Sequence, residues 1–188
     1  MKYPATAAAL AALFLSRSIA LAGDISWIFH PSAPGSDGPT AKYVSADVSG
    51  MELTFIPPLN WSVTPTRFFP PNKIEASLSV DAVKIDAPAL WTPDRAKAMR
   101  EYILTRGLPK DAQNVQVISE SLNGINFGGR GSYEIAIGYS SYGQTFATDT
   151  IYIESGAVQL QFRLGCLRKD FDELHPYLRT AALSMHGF

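Results

Sequence analysis

The stretch Tyr133–Met185, YEIAIGYSSYGQTFATDTIYIESGAVQLQFRLGCLRKDFDELHPYLRTAALSM, decides the fold. It reads as three strands in succession closed by one helix. Tyr133, Ile135, Ile137 and Tyr139 alternate with Glu134, Ala136 and Gly138, so one face of the first strand is apolar and the other mixed. Ser140-Ser141-Tyr142-Gly143 has turn composition. Phe146 to Ile153 follows, with Ile151 and Ile153 on one face, and Glu154-Ser155-Gly156 makes a second turn. Val158, Leu160, Phe162 and Leu164 then point one way, and Gln159, Gln161 and Arg163 the other. Turns this short make the three strands antiparallel neighbours. Phe171, Leu174, Leu178, Ala181, Ala182 and Met185 recur at helical spacing and supply a cover for the sheet. Pro176 interrupts that helix, because an interior proline costs about 3 kcal/mol. The expected solution is a ragged start near Asp170 or Asp172 and a regular helix from about Pro176 to His186.

Working outward, Met1–Ala22 has the order of a secretory signal: Lys2, the Ala/Leu run Ala5–Leu15, and the small-x-small pattern Ala20-Leu21-Ala22 before Gly23. The run is shorter than the about 20 residues that span a bilayer, and Arg17 interrupts it. Cleavage between Ala22 and Gly23 is expected, with an exported, periplasmic or secreted mature chain that has no membrane span. Cleavage takes Lys2 and Arg17 from the 16 basic residues and leaves 14 against 17 acidic. That balance, without a basic run, argues against nucleic acid and anionic membrane surfaces. Cys166 is the single cysteine and keeps the inward parity of the strand before it, as a buried thiol does.

Residues 23–50 read as an irregular N-terminal segment. Ile25–Phe29 is a possible short strand within it, and Pro31–Pro39 a loop. Residues 51–188 read as one domain. In it, Met51–Ile56 is a strand ended by Pro57-Pro58, and Leu59–Val63 the returning strand. Ile74–Ile85 is a long strand whose parity change calls for a β-bulge near Ala82. Thr92-Pro93-Asp94 opens a helix with the stripe Ala96, Met99, Tyr102 and Ile103, stopped by Gly107. Val115–Ser121 is the next strand, and Asn123-Gly124 turns into the meander. The expected fold is α+β: a mostly antiparallel sheet of about six or seven strands with helices packed on it.

Chemistry-bearing motifs are sparse. Asp172 and His175 share a helix face and could hold a divalent metal, although an acidic helix N-terminus has the same composition. Gly138–Gly143 misses the nucleophile elbow, since Tyr142 stands where G-x-S-x-G needs glycine. Gly128-Gly129-Arg130-Gly131 has no following Lys-Ser or Lys-Thr pair and leads into a strand, so it is not a P-loop. Arg130 could still bind a carboxylate or phosphate. Trp61, Phe68 and Phe69 around the loop Pro65–Pro71, Trp91 in Ala87–Trp91, and Tyr142 at the hairpin tip with Tyr139 and Phe146 are candidate contact anchors. Edge-of-core packing is the alternative for these aromatics. No catalytic constellation and no cofactor motif is legible.

The arrangement resembles the Mog1/PsbP-like family of α/β/α sandwiches. The resemblance rests on Leu53–Ile56 followed by Pro57-Pro58 and Trp61, the strand Ile74–Ile85 and the helix Pro93–Arg106. It continues through Gly124 leading into the meander, Leu160-Gln161-Phe162-Arg163-Leu164, and Phe171–Ser184. It implies a small non-enzymatic adaptor or binding domain, with an unknown protein or small ligand as partner. Photosystem II accessory subunits and a Ran-binding protein share the family. The Ran-binding role does not carry to an exported chain, and no bipartite lumen-targeting segment supports the photosystem role. Two other readings are an enzyme with a metal-assisted site near Asp172 and His175, and an envelope-associated structural protein exposing the Tyr139–Phe146 hairpin.

Overall fold

The computed structural model describes residues 22–30, 42–48, 50–85, 89–127 and 130–187. The expected signal region before Ala22, the loop Pro31–Pro39, Ala87, and Gly128-Gly129 lie outside the described residues. The chain order is β1 (Ala22–Asp24), β2 (Ile28–His30), β3 (Tyr43–Val48), β4 (Met51–Phe55), β5 (Ser62–Val63), β6 (Arg67–Phe69) and β7 (Ser77–Lys84). Then come α1 (Pro93–Arg106), β8 (Gln113–Leu122), β9 (Ser132–Ser141), β10 (Gln144–Ser155) and β11 (Val158–Leu167). A 3-10 turn (Arg168–Asp170) leads into α2 (Phe171–Leu183).

The meander forms as the alternation predicts. β9, β10 and β11 pair antiparallel in unbroken register, from Ser132↔Ile153 to Gln144↔Ser141 and from Phe146↔Leu167 to Ser155↔Val158. They form the middle of an antiparallel sheet with the path β5-β6-β7-β11-β10-β9-β8. β6 and β1 share the far edge of β7. A second sheet, β2-β3-β4, lies apart from the first.

The two sheets and α2 enclose the main core. Phe55 of β4 packs edge-on against Trp27 (4.8 Å), Phe68 (5.2 Å) and Phe162 (5.8 Å). Leu174, Leu178, Ala181 and Ala182 of α2 are buried in the same cluster. α1 covers the opposite face of the main sheet, where Ala96 and Ile103 meet Trp91, Tyr133, Ile135, Ile137 and Tyr152. Thr92 caps α1, its side chain accepting from the Arg95 amide at 3.3 Å. Both faces of β9 are therefore covered, and the mixed face, Glu134 and Ala136, is as buried as the apolar one.

The N-terminal segment is not irregular throughout. Tyr43–Val48 pairs with Met51–Phe55, and Ile25, Trp27, Val44 and Ala46 belong to the main core. The alternation of Val44 and Ala46 with polar neighbours carried that strand, which makes the core begin before residue 51. β7 pairs with β11 without a bulge at Ala82. Leu78 and Val80 face the main core while Val83 is buried from the other side, so the parity change records burial on both faces. Ile74 lies before the strand and is exposed. Leu59–Val63 does not return along β4; Asn60 takes φ 66° and only Ser62–Val63 pairs, with β6. α2 begins at Phe171, before the expected ragged start resolves, and runs through Pro176. The carbonyl that Pro176 cannot reach belongs to exposed Asp172, where water can serve it, and the buried face of the helix offsets the lost bond.

Candidate functional site

The inward parity of the meander places two acids beneath α2. Glu134 of β9 lies opposite Ile151, and Asp149 of β10 opposite Ala136. The two carboxylates are therefore diagonal neighbours on one sheet face. His175 and Arg179, one turn apart on α2, descend onto them from above. His175 Nδ1 lies 2.6 Å from Asp149 Oδ2, and Arg179 Nη1 lies 3.4 Å from Glu134 Oε2. The Phe171 ring, 5.3 Å from the imidazole, walls the cluster toward the helix start.

The electrostatics follow from burial. Asp149 is 0% exposed, and Glu134 is also buried. Burial pushes the Glu134 carboxyl up, Asp149 adds to that, and Arg179 and His175 oppose it. The hydrogen bond to Asp149 raises His175, against the opposing effect of its own desolvation. Both Glu134 oxygens and Asp149 Oδ1 are buried without a hydrogen-bond partner. Arg179 reaches Glu134 at ion-pair distance only.

Asp172 takes no part. Its side chain is 84% exposed and meets Arg168 at 3.5 Å, so the structure does not bring it together with His175. Helical spacing put them on one turn, but the imidazole meets the buried Asp149 carboxyl instead. Asp149 and Glu134 were missed, although each is a charge at an inward-facing strand position among Ala136, Ala147 and Ile151. That parity is a signal, since charges are rarely buried unless paired. His30 and His186 stand elsewhere: His30 bonds Ser45 at 2.8 Å, and the His186 backbone pairs with Thr54.

Most of the candidate contact anchors are core residues. Trp61, Phe68 and Trp91 are buried and Phe69 is partly buried, each because an adjoining element offers apolar surface. Trp61 lies against Tyr177 at 5.8 Å, and Trp91 against Tyr133 at 5.1 Å with the Arg95 guanidinium 4.2 Å above its ring. Arg95 also pairs with buried Glu154, which accepts from the Ala89 amide at 2.7 Å. The segment around Trp91 is thus pinned to the sheet. Arg130 is partly buried and donates to Ser155 Oγ at 2.9 Å. Tyr139 and Phe146 stack on each other across the hairpin at 5.7 Å.

Tyr142 differs from all of these. It is 92% exposed and takes φ 47°, followed by Gly143 at φ 76°. A two-residue loop with both central φ angles positive is the tight primed turn that matches strand twist. Asp111, Asn114, Ser140 and Thr145 line a polar cleft of about 430 Å³ beside it, with Ser141 Oγ donating to Asp111 at 2.5 Å. Leu167, Arg168 and Lys169 border a second depression on the Gln144–Thr145 side.

No protein-family model matches the chain, and no curated protein matches its sequence. Solved structures do match. LpqN, involved in cell envelope biogenesis of Mycobacterium tuberculosis, superposes with a TM-score of 0.51 at 16% identity, covering 85% of this chain and 90% of that one. PsbP from the cyanobacterium Synechocystis sp. PCC 6803 gives 0.48 at 15%, covering 88% and 95%. The type VI secretion immunity protein TplEi of Pseudomonas aeruginosa, solved with a peptide, gives 0.46 at 12%, covering 100% and 64%. At these identities the likeness is one of fold alone, and the fold is the α+β arrangement, a mostly antiparallel sheet with helices packed on it, expected from the sequence. Among the described residues no helix is long and apolar enough to cross a membrane.

Proposed function

We infer that this chain is an exported, non-enzymatic binding or accessory domain, and that its contact point is the hairpin tip Ser141–Gln144. The observation that carries the reading is Tyr142. A bulky side chain in the left-handed region costs about 1 kcal/mol or more, a cost that Asn or Gly at the same position largely avoids. Stability therefore does not explain a tyrosine there. A strained backbone that presents an aromatic ring to solvent at the end of two long paired strands is a pre-positioned anchor. The polar cleft on one side, and Arg168 and Lys169 on the other, supply directional contacts around it. Export rests on the order of Lys2, Ala5–Leu15 and Ala20-Leu21-Ala22 before Gly23.

Photo-crosslinking from position 142 in the native host tests this. A benzoylphenylalanine at 142 is expected to yield a discrete protein adduct in the exported fraction, from a chain that begins at Gly23. The same probe at Leu90, 79% exposed on another part of the surface, serves as control. Equal labelling from both positions, or a recovered chain that still begins at Met1, overturns the reading. Metal-assisted catalysis through Asp172 and His175 is disfavoured by the outward course of Asp172.

A further inference from the structure

We propose that Glu134, Asp149 and His175 form a binding site for a divalent transition-metal ion, with Arg179 as the resident counter-cation that the ion displaces. One ligand atom from each of the three residues lies within 4.8 Å of the others. Atoms bound to a single zinc ion at about 2.0–2.2 Å in tetrahedral geometry stand about 3.3–3.6 Å apart. For all three to bind one ion the widest separation closes by up to about 1.2–1.5 Å. Two carboxylates and one imidazole are a mixed O/N set, which suits Zn²⁺, Mn²⁺ or Fe²⁺ better than an all-oxygen ion such as Ca²⁺.

The independent observation is Asp149. It is 0% exposed, and its Oδ1 has no hydrogen-bond partner, as is also true of both Glu134 oxygens. Three buried carboxylate oxygens left without donors are a costly arrangement that a cation satisfies. Arg179 offers only partial compensation: it touches one carboxylate at 3.4 Å, and its side chain is 38% exposed. Its guanidinium has a path to solvent when an ion takes its place. The imidazole is 27% exposed and marks the route by which an ion enters. The scaffold is rigid, since both acids stand on central strands and His175 on a helix packed over them. The proposal is separate from the hairpin-tip reading and survives its failure.

The test is calorimetric titration of the chelator-stripped full chain with ZnCl2. Wild type is expected to bind one ion per chain. Asp149→Asn and His175→Ala are each expected to weaken binding at least about tenfold, the loss that disturbing a metal site commonly brings. Arg179→Gln should tighten binding by about tenfold, by removing one competing charge at short range. Asp172→Asn should leave it unchanged. Absence of saturable binding to wild type overturns the proposal. So does wild-type affinity in both Asp149→Asn and His175→Ala, because the ion then sits elsewhere. His175 is part-exposed, so His175→Ala remains informative if the Asp149 variant fails to fold. A circular dichroism spectrum matching wild type qualifies each variant.

Discussion

Cys166 sits near the end of β11 with its sulfur in the main core. Burial, reinforced by Asp170, pushes its thiol up to about 12. At pH 8 the group is fully protonated, and only a thiolate attacks a disulfide reagent. Native protein should therefore react with dithiobis-nitrobenzoate at least about a hundredfold more slowly than protein unfolded in guanidinium. A native rate equal to the unfolded one contradicts the placement. Its inward position was legible, because the residue continues the parity of Val158, Leu160, Phe162 and Leu164. The acid–base cluster was legible only by halves. Asp149 shares the parity of Ile151 and Ile153, so a buried charge could be read there. Its partner His175 lies 26 residues on, beyond a turn, the whole of β11 and the 3-10 turn, and nothing local links them. The local spacing pointed to Asp172 instead, where an exposed carboxylate gains little from an imidazole.

At the scale of elements, α2 shows what tertiary packing overrides. Proline near the middle of its sequence argued for a late start, yet Phe171 and Leu174 are buried ahead of it and hold the first turn in place. Helix stability in proteins comes chiefly from such an apolar face. Pro176→Ala restores an amide that can reach the Asp172 carbonyl. The gain is reduced by the greater freedom of the unfolded chain. The net expectation is a stabilisation of about 1–2 kcal/mol in urea unfolding; a midpoint at or below wild type contradicts a regular helix through this position. β7 teaches the converse. Its parity change calls for a bulge only where a single face of the strand is buried. In the structure Val83 is simply buried from the opposite side, where a covered sheet has room for it.

At the scale of the whole molecule, the meander sits between α1 on one face and α2 with the small sheet on the other. The two-sided cover explains why so much of the fold was readable: three strands with clean alternation and two helical stripes dictate a layered α+β arrangement. The small sheet is legible only in part: β4 and a short strand within Ile25–Phe29 show in the sequence, whereas β3 follows directly on the Pro- and Gly-rich stretch that gives its segment a loop composition. The same cover explains the fate of the aromatic anchors. Trp61, Phe68 and Trp91 each fill a seam between layers, and Tyr142 lies beyond the last pair of the β9–β10 ladder, where no layer reaches. The functional claim therefore comes down to one side chain. The most direct measurement is the affinity of Tyr142→Asn, with an Asn-Gly tip, for the crosslinked partner, taken together with its urea unfolding. The expected variant is about 1 kcal/mol more stable than wild type and has lost the partner. Wild-type affinity in a folded Tyr142→Asn variant would contradict it.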